Sequence, residues 1–178
     1  LQEQNEKLEQ ARAEAEEAYR QYTDLYDFAP VGYFTLGRDG AVHKANLPGT
    51  NLLGVDGTKL VNQQLGVFVA EESLPTFIMF FEKLISGSGR EICELKFLND
   101  TDKPLWVRIE ATCFEGGEEC RAVMTDISER KQVEMALQES EQRFRSMIQE
   151  VQTIAVQGYG MDGTTQYWNT ASEKLYGY

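Results

Sequence analysis

The chain has 178 residues, enough for one full domain with helical extensions. Hydrophobic residues at 42% and aromatics at 11% exclude a disordered chain. A formal charge of −12 argues against nucleic acid and anionic membrane as partners. Part of that charge is local: Glu3, Glu6, Glu9, Glu14, Glu16 and Glu17 stand against Lys7, Arg12 and Arg20, as on a solvated helix face. No apolar run reaches the ~18 residues of a membrane span, and no signal peptide is recognisable. The chain opens on Leu1, which suggests a segment cut from a longer protein, and that parent has room for a membrane anchor. Cys93, Cys113 and Cys120 are odd in number and unpatterned, which fits a reducing cytosol.

Residues 1–27 read as one helix. Leu1, Leu8, Ala15 and Tyr22 recur every seven residues, with Gln4, Ala11, Ala18 and Leu25 in the offset position. This is the a/d seam of a coiled coil, completed at its end by Leu25. The seam is poor in large residues and therefore weak alone. The competing reading is a lone amphipathic helix folded back on the domain that follows. Asp27-Phe28-Ala29-Pro30 ends the helix, because the residue before proline avoids the α region.

Val31 to Leu36 reads as a strand, Arg38-Asp39-Gly40 as a turn, and Ala41 to Lys44 as the return strand. Asn46 to Leu53 reads as a short helix stopped by Gly54. Residues 55–72 are expected to be irregular, with one or two single-turn helices. Pro75 suits the first turn of a helix to Ile85, with Phe77, Phe80, Phe81 and Leu84 on one face and Ile78 and Ile85 beside it. Arg90 to Leu98 and Pro104 to Phe114 alternate as long strands, joined through residues 99–102. Gly116-Gly117 reads as a tight turn into a last strand, Glu118 to Ile127. Strand parity puts Leu105, Val107, Ile109, Ala111 and Cys113 towards the helices and Trp106, Arg108, Glu110 and Thr112 on the other face. Ser128 is expected to cap a helix over 129–150, whose Val133, Leu137, Phe144, Met147, Ile148 and Val151 lie to one side.

The chain repeats itself. At an offset of 123 residues, Gly37, Asp39, Gly40, Asn46, Leu52 and Gly54 fall without a gap on Gly160, Asp162, Gly163, Asn169, Leu175 and Gly177. The second copy predicts a hairpin of Ile154 to Gln157 and Thr164 to Trp168, its turn at Met161-Asp162-Gly163, and a helix over Thr170 to Tyr176. Such a stub is expected to be disordered or held by another chain, possible strand exchange included, since Ile154, Val156, Tyr167, Trp168, Leu175 and Tyr176 lack a core to enter. The expected architecture is α+β: a five-stranded antiparallel sheet with helices on one face, flanked by two long helices.

Asp27-Phe28-Ala29-Pro30-Val31-Gly32-Tyr33-Phe34-Thr35-Leu36, Asn46 to Gly54, Leu105-Trp106-Val107-Arg108-Ile109-Glu110-Ala111 and Thr125-Asp126-Ile127-Ser128-Glu129-Arg130-Lys131 resemble the opening, the first core helix, the penultimate strand and the exit motif of a PAS domain of bacterial sensory kinases. The resemblance divides the chain into an N-terminal signalling helix (1–27), a PAS domain (22–128), a linker helix (129–150) and the truncated start of a second PAS domain (151–178). In the exit motif, Asp126 can accept hydrogen bonds from the free amides of the next helix and Ser128 can add a second cap, which makes a stiff joint; Asp126, Ile127 and Ser128 are the expected relay.

The family binds small molecules, haem and flavins among them, between sheet and helices. Here the single histidine, His43, lies on the second strand and not on the pocket helix, the Asn-Cys-Arg-Phe stretch of light-sensing relatives is missing, and so is Cys-x-x-Cys-His. No haem, flavin or metal is expected. Phe77, Phe80, Phe81, Ile109, Ala111, Ala122 and Met124 read as core or as the wall of a pocket for a small molecule of unknown kind. With a two-residue turn at Gly116-Gly117, Cys113 and Cys120 would form a hydrogen-bonded pair with Cα atoms ~5.5 Å apart, poorly placed for a bridge, so small core residues are expected rather than a redox switch. No nucleophile–base pair and no phosphate loop is apparent, so catalysis within the chain is not expected. The resemblance implies a cytoplasmic sensory or relay module of a signalling protein, most simply a sensor histidine kinase of a two-component system, acting as a homodimer beside a kinase or cyclase output domain. A ligand-free dimerisation spacer, or the regulatory module of a cyclic-dinucleotide synthase or hydrolase, fits the same residues.

Overall fold

The computed structural model describes residues 2–87, 89–98, 104–113, 118–151 and 153–177. They fall into two units, Leu1–Ser128 and Glu129–Tyr178. The expected connections at 99–102 and at Gly116-Gly117 lie outside the described residues. Among the described residues no helix is long and apolar enough to cross a membrane.

In the first unit α1 (Gln2–Asp27) leads into β1 (Gly32–Gly37), β2 (Val42–Ala45), α2 (Leu47–Leu53), α3 (Gly57–Leu60), single 3-10 turns at Leu65–Phe68 and Glu71–Ser73, α4 (Leu74–Ser86), β3 (Arg90–Phe97), β4 (Leu105–Cys113) and β5 (Glu119–Asp126). Then α5 (Ser128–Glu150) leaves the sheet. Local chemistry explains the boundaries. Asn46 caps α2 through its side chain and Gly54 closes it with φ 67°. Pro75 sits in the first turn of α4, where its missing N–H costs nothing.

The sheet is antiparallel with strand order β2-β1-β5-β4-β3. The first and last strands therefore meet in its middle, Gly32 opposite Met124 and Gly37 opposite Glu119. The parity argument holds. Leu105, Val107, Ile109, Ala111 and Cys113 are buried, while Trp106, Arg108, Glu110 and Thr112 are half-buried on the far face. The core joins these to Phe34, Leu36, Val42, Leu60, Leu65, Leu84, Leu95 and Met124. Each fully buried aliphatic side chain contributes about 1.5–3 kcal/mol. Phe77, Phe80 and Leu84 of α4 enter this core, whereas Ile78 stays half exposed on the outside of the helix. At Gly32 the backbones of β1 and α2 touch: a Cβ there would lie 2.8 Å from Gly49 Cα.

One expectation about the cysteines fails. Cys113 and Cys120 do face each other across β4 and β5, but they form a disulfide, with Cα atoms 4.1 Å apart. That spacing belongs to a non-hydrogen-bonded pair, in which side chains approach more closely. The facing register of the two cysteines is the expected one; the spacing across the pair is not. Cys93 remains a free thiol, pushed up to about 12 by burial and then by the charge of Glu94.

The second unit holds most of α5, then β6 (Gln157–Tyr159), β7 (Thr165–Trp168) and α6 (Thr170–Tyr176). Its first strand starts three residues later than the apolar run Ile154 to Gln157 suggests. The repeat extends to individual bonds. Phe34 pairs with Ala45 and Gln157 with Trp168; both hairpins carry an irregularity at the same place, after Thr35 and after Gly158. Gly37 N–H donates to Ala41 O and Gly160 N–H to Thr164 O. Asp39 and Asp162 each accept from the backbone amide two residues on. Ile154, Leu175 and Tyr176 are exposed, Val156, Tyr167 and Trp168 are half-buried, and Trp168 and Tyr176 bring their rings to 5.3 Å.

Candidate functional site

Among the described residues no group of three His, Cys, Asp or Glu is placed to hold a metal ion. The polar chemistry concentrates instead where the long helices meet the sheet.

At the exit, Asp126 Oδ1 accepts from Ser128 N–H at 2.8 Å. Ser128 is the first helical residue, and its Oγ accepts from Trp106 N–H of β4 at 2.9 Å. Ile127 N–H donates to Trp106 O at 2.8 Å. Both backbone groups of Trp106 thus hold the segment from which α5 starts. Asp126 acts as expected, while Ser128 serves as a clasp to the neighbouring strand.

At the entry, Asn46 is 1% exposed. Its Nδ2 donates to Tyr26 O of α1 at 2.7 Å and to Val31 O at 3.0 Å. Its Oδ1 accepts from Tyr33 N–H at 2.8 Å and from Gly49 N–H at 2.9 Å. Asp27 Oδ1 accepts from Leu47 N–H, a second tie between the end of α1 and α2. An aromatic ladder runs from Tyr22 to Tyr26 at 5.8 Å and on to Tyr33 of β1 at 5.9 Å. Burial, then the neighbouring Tyr22 and Asp27, raises the Tyr26 hydroxyl above the ordinary tyrosine range.

The two joints are neighbours. Antiparallel pairing of Gly32 with Met124 puts the start of β1 beside the end of β5. The roots of α1 and α5 therefore leave the same end of the sheet from adjacent central strands. Asp126, Ile127 and Ser128, named from the sequence, all lie at the exit joint. Asn46, Trp106 and the tyrosine ladder were not singled out there, although the coincidence of Asn46 with Asn169 was a usable signal.

The proposed wall residues Phe77, Phe80, Ile109, Ala111, Ala122 and Met124 are all buried in one core, and Phe81 packs against it. Phe77 stacks on Phe81 at 5.9 Å. A Cβ on Gly66 would come within 3.2 Å of the Phe77 ring, and one on Gly40 within 3.5 Å of the Phe81 ring. Of the seam residues, Leu8, Tyr22 and Leu25 are 69%, 64% and 78% exposed, and Ala15 is exposed too; Leu1 lies outside the described residues. His43, on the edge strand, reaches over Gly37 to bring Nδ1 within 3.0 Å of Glu119 Oε1.

Comparison with known proteins agrees with this architecture. The PAS domain of an HTR-like protein from Haloarcula marismortui superposes with a TM-score of 0.54 at 20% identity, over 67% of this chain and 99% of that one. A PAS domain from Colwellia psychrerythraea gives 0.54 at 11% identity, over 63% and 98%. A domain of a sensory box sensor histidine kinase/response regulator from Geobacter sulfurreducens gives 0.51 at 14% identity, over 61% and 94%. No curated protein sequence matches the chain. The sequence profile described as PAS domain matches residues 30–129, more than half of the chain. The chain belongs to the PAS domain family of signalling modules.

Proposed function

We propose that the chain is a sensory and relay module of a two-component sensor histidine kinase, working as a parallel homodimer beside an output domain in the same parent protein. The observation that carries this is the adjacency of the two joints: a displacement of α1 acts on β1, and the neighbouring β5 passes it to Asp126, Ile127, Ser128 and α5. Residues 1–27 serve as the entering helix, 22–128 as the PAS domain, 129–150 as the connecting helix and 151–178 as the opening part of a second PAS domain. The bond-for-bond repeat of the first hairpin supports the last assignment. The dimer is proposed to run along Leu1, Leu8, Ala15, Tyr22 and Leu25, with help from the outer face of the sheet. Residues 7–22 are exposed on every side, and a helix of this length is marginal in water without a partner. We place the module in the cytoplasm, with neither nucleic acid nor membrane as its partner; the Cys113–Cys120 bond is the observation that pulls the other way.

Ligand sensing is the second form of the same function. Phe77, Phe80, Phe81, Ile109, Ala111, Ala122 and Met124 would wall the site, and the closeness of the Phe77 and Phe81 rings to Gly66 and Gly40 favours mechanical relay over it. A spacer, or the regulatory module of a cyclic-dinucleotide enzyme, would use the same joints. Native mass spectrometry tests both claims: a dimer without added mass supports relay, a retained small molecule supports sensing, and a monomer at high concentration removes the proposed seam.

A further inference from the structure

We propose that Asn46 and Asn169 are positioning residues that lock the rotation of the helix entering each unit, so that the apolar stripe of that helix faces a set direction relative to the hairpin that follows. The proposal needs the relay function above for its use but not for its geometry.

An N-cap needs only a side-chain oxygen, and aspartate or serine supplies one as well as asparagine does. The Asn46 amide nitrogen is required for something else, the carbonyls of Tyr26 and Val31. Asn169 repeats the arrangement and is fully buried. Its Oδ1 accepts from Val156 N–H at 2.9 Å and Ser172 N–H at 3.0 Å, the positions equivalent to Tyr33 and Gly49. Its Nδ2 reaches Ile148 O at 3.3 Å, Val151 O at 3.2 Å and Ile154 O at 2.8 Å. In both copies one amide ties a helix end, a strand start and a helix start.

The phase of the stripes follows the clamp. Tyr22 and Leu25 precede the clamped Tyr26 by four residues and one. Phe144 and Met147 precede the clamped Ile148 by the same four and one. Equal spacing on a helix of about 3.6 residues per turn means equal angle. The copies differ in the connection: five positions separate Tyr26 from Val31, and six separate Ile148 from Ile154. Had the extra residue entered the helix before the clamp, it would have turned the stripe by about 100°. It lies after the clamp, where it leaves the stripe in place. Phe144 and Met147 are 59% and 57% exposed, close to the 64% and 78% of Tyr22 and Leu25.

The test uses the full chain with Asn46→Asp, which keeps the cap oxygen and sets an oxygen against the two carbonyls, and with Asn46→Ser should the first fold poorly. Hydrogen exchange at the end of α1, including the Phe28 amide that donates to Asp24 O, should quicken by about tenfold or more, while amides of β4 and β5 keep their protection. Single cysteines at Thr23, Asp24 and Leu25, in a Cys93→Ala background, should cross-link between copies mainly at position 25, and Asn46→Asp should even out that pattern. Asn169→Asp should do the same for α5, read at Met147. Unchanged exchange and cross-linking would overturn the proposal, as would a loss of protection spread evenly over the sheet. A wild-type clamp that cross-links at none of these positions refutes the dimer, and exchange alone then decides the clamp.

Discussion

Replacing Ser128 with alanine removes the acceptor of the Trp106 amide. That amide is half-buried and lies at the start of β4, where β5 offers it no alternative, because β5 has already become the exit segment. An orphaned buried donor costs about 1–3 kcal/mol, and partial solvent access places this one near 1–1.5 kcal/mol. Asp126→Ala removes the other half of the clasp, the bond to Ser128 N–H, at about 1 kcal/mol. Both bonds converge on Ser128, so their losses should not add; a coupling of about 0.5 kcal/mol or more is expected in the double variant. Urea unfolding gives the energies, and hydrogen exchange at Trp106 and in the first turn of α5 reports the joint itself. Each kcal/mol corresponds to a fall in Tm of about 4–8 °C for a domain of this size. An unaltered Trp106 exchange rate in Ser128→Ala, or strict additivity of the two substitutions, would show that the exit is two independent bonds and not one stiff joint.

Three further outcomes follow from the geometry. Gly32→Ala should cost about 2–3 kcal/mol, because its Cβ meets the Gly49 backbone, while Gly57→Ala, whose nearest neighbour is Thr50 Cγ2 at 3.4 Å, should be close to neutral; equal melting temperatures would contradict the tight β1–α2 contact. Cys93, with its thiol pushed up to about 12, should hold roughly one thiolate in ten thousand at pH 8 and react with iodoacetamide at least about a hundredfold slower than in urea, so rapid native labelling would refute its burial. Since the unfolded thiol ionises near pH 8.5 and the folded one does not, the contribution of Cys93 to stability should fade as pH rises from there towards 12. Reducing the Cys113–Cys120 bridge, which closes a separation of 7 residues, should lower stability by about 2 kcal/mol, and a Tm indifferent to dithiothreitol after confirmed reduction would show that the bridge does not hold the hairpin.

The elements legible in the sequence are those that a local pattern dictates. Alternation over residues 105–113 decided which face of β4 is buried, because each residue of a strand points opposite to its neighbour and only one face meets the helices. Gly54 and Gly177 marked the ends of α2 and α6, and both adopt positive φ. The start of β6 was misplaced for a related reason. Ile154 and Val156 look like strand residues, yet their backbone is drawn to Asn169 from across the hairpin, and the ladder begins only at Gln157. The disulfide was missed because residue types place Cys113 opposite Cys120 without recording how closely the two strands approach there.

The joints were hidden because they are made by the backbone. Tyr26 O, Val31 O, Trp106 N–H and Trp106 O carry no residue-specific signal, so no reading of side-chain types could place them beside Asn46 or Ser128. What a sequence does record is the side chain that answers them, and only where alternatives fail. An oxygen suffices to cap α2, but only an amide both accepts from Gly49 and donates to Tyr26. That requirement is stringent enough to mark a position, and the chain meets it twice, at the same point of the same repeat. The asparagine repeated at a helix start in this chain is therefore a tie to the preceding helix as well as a cap. The backbone groups it holds can then be located from the repeat, with no need to recognise them individually.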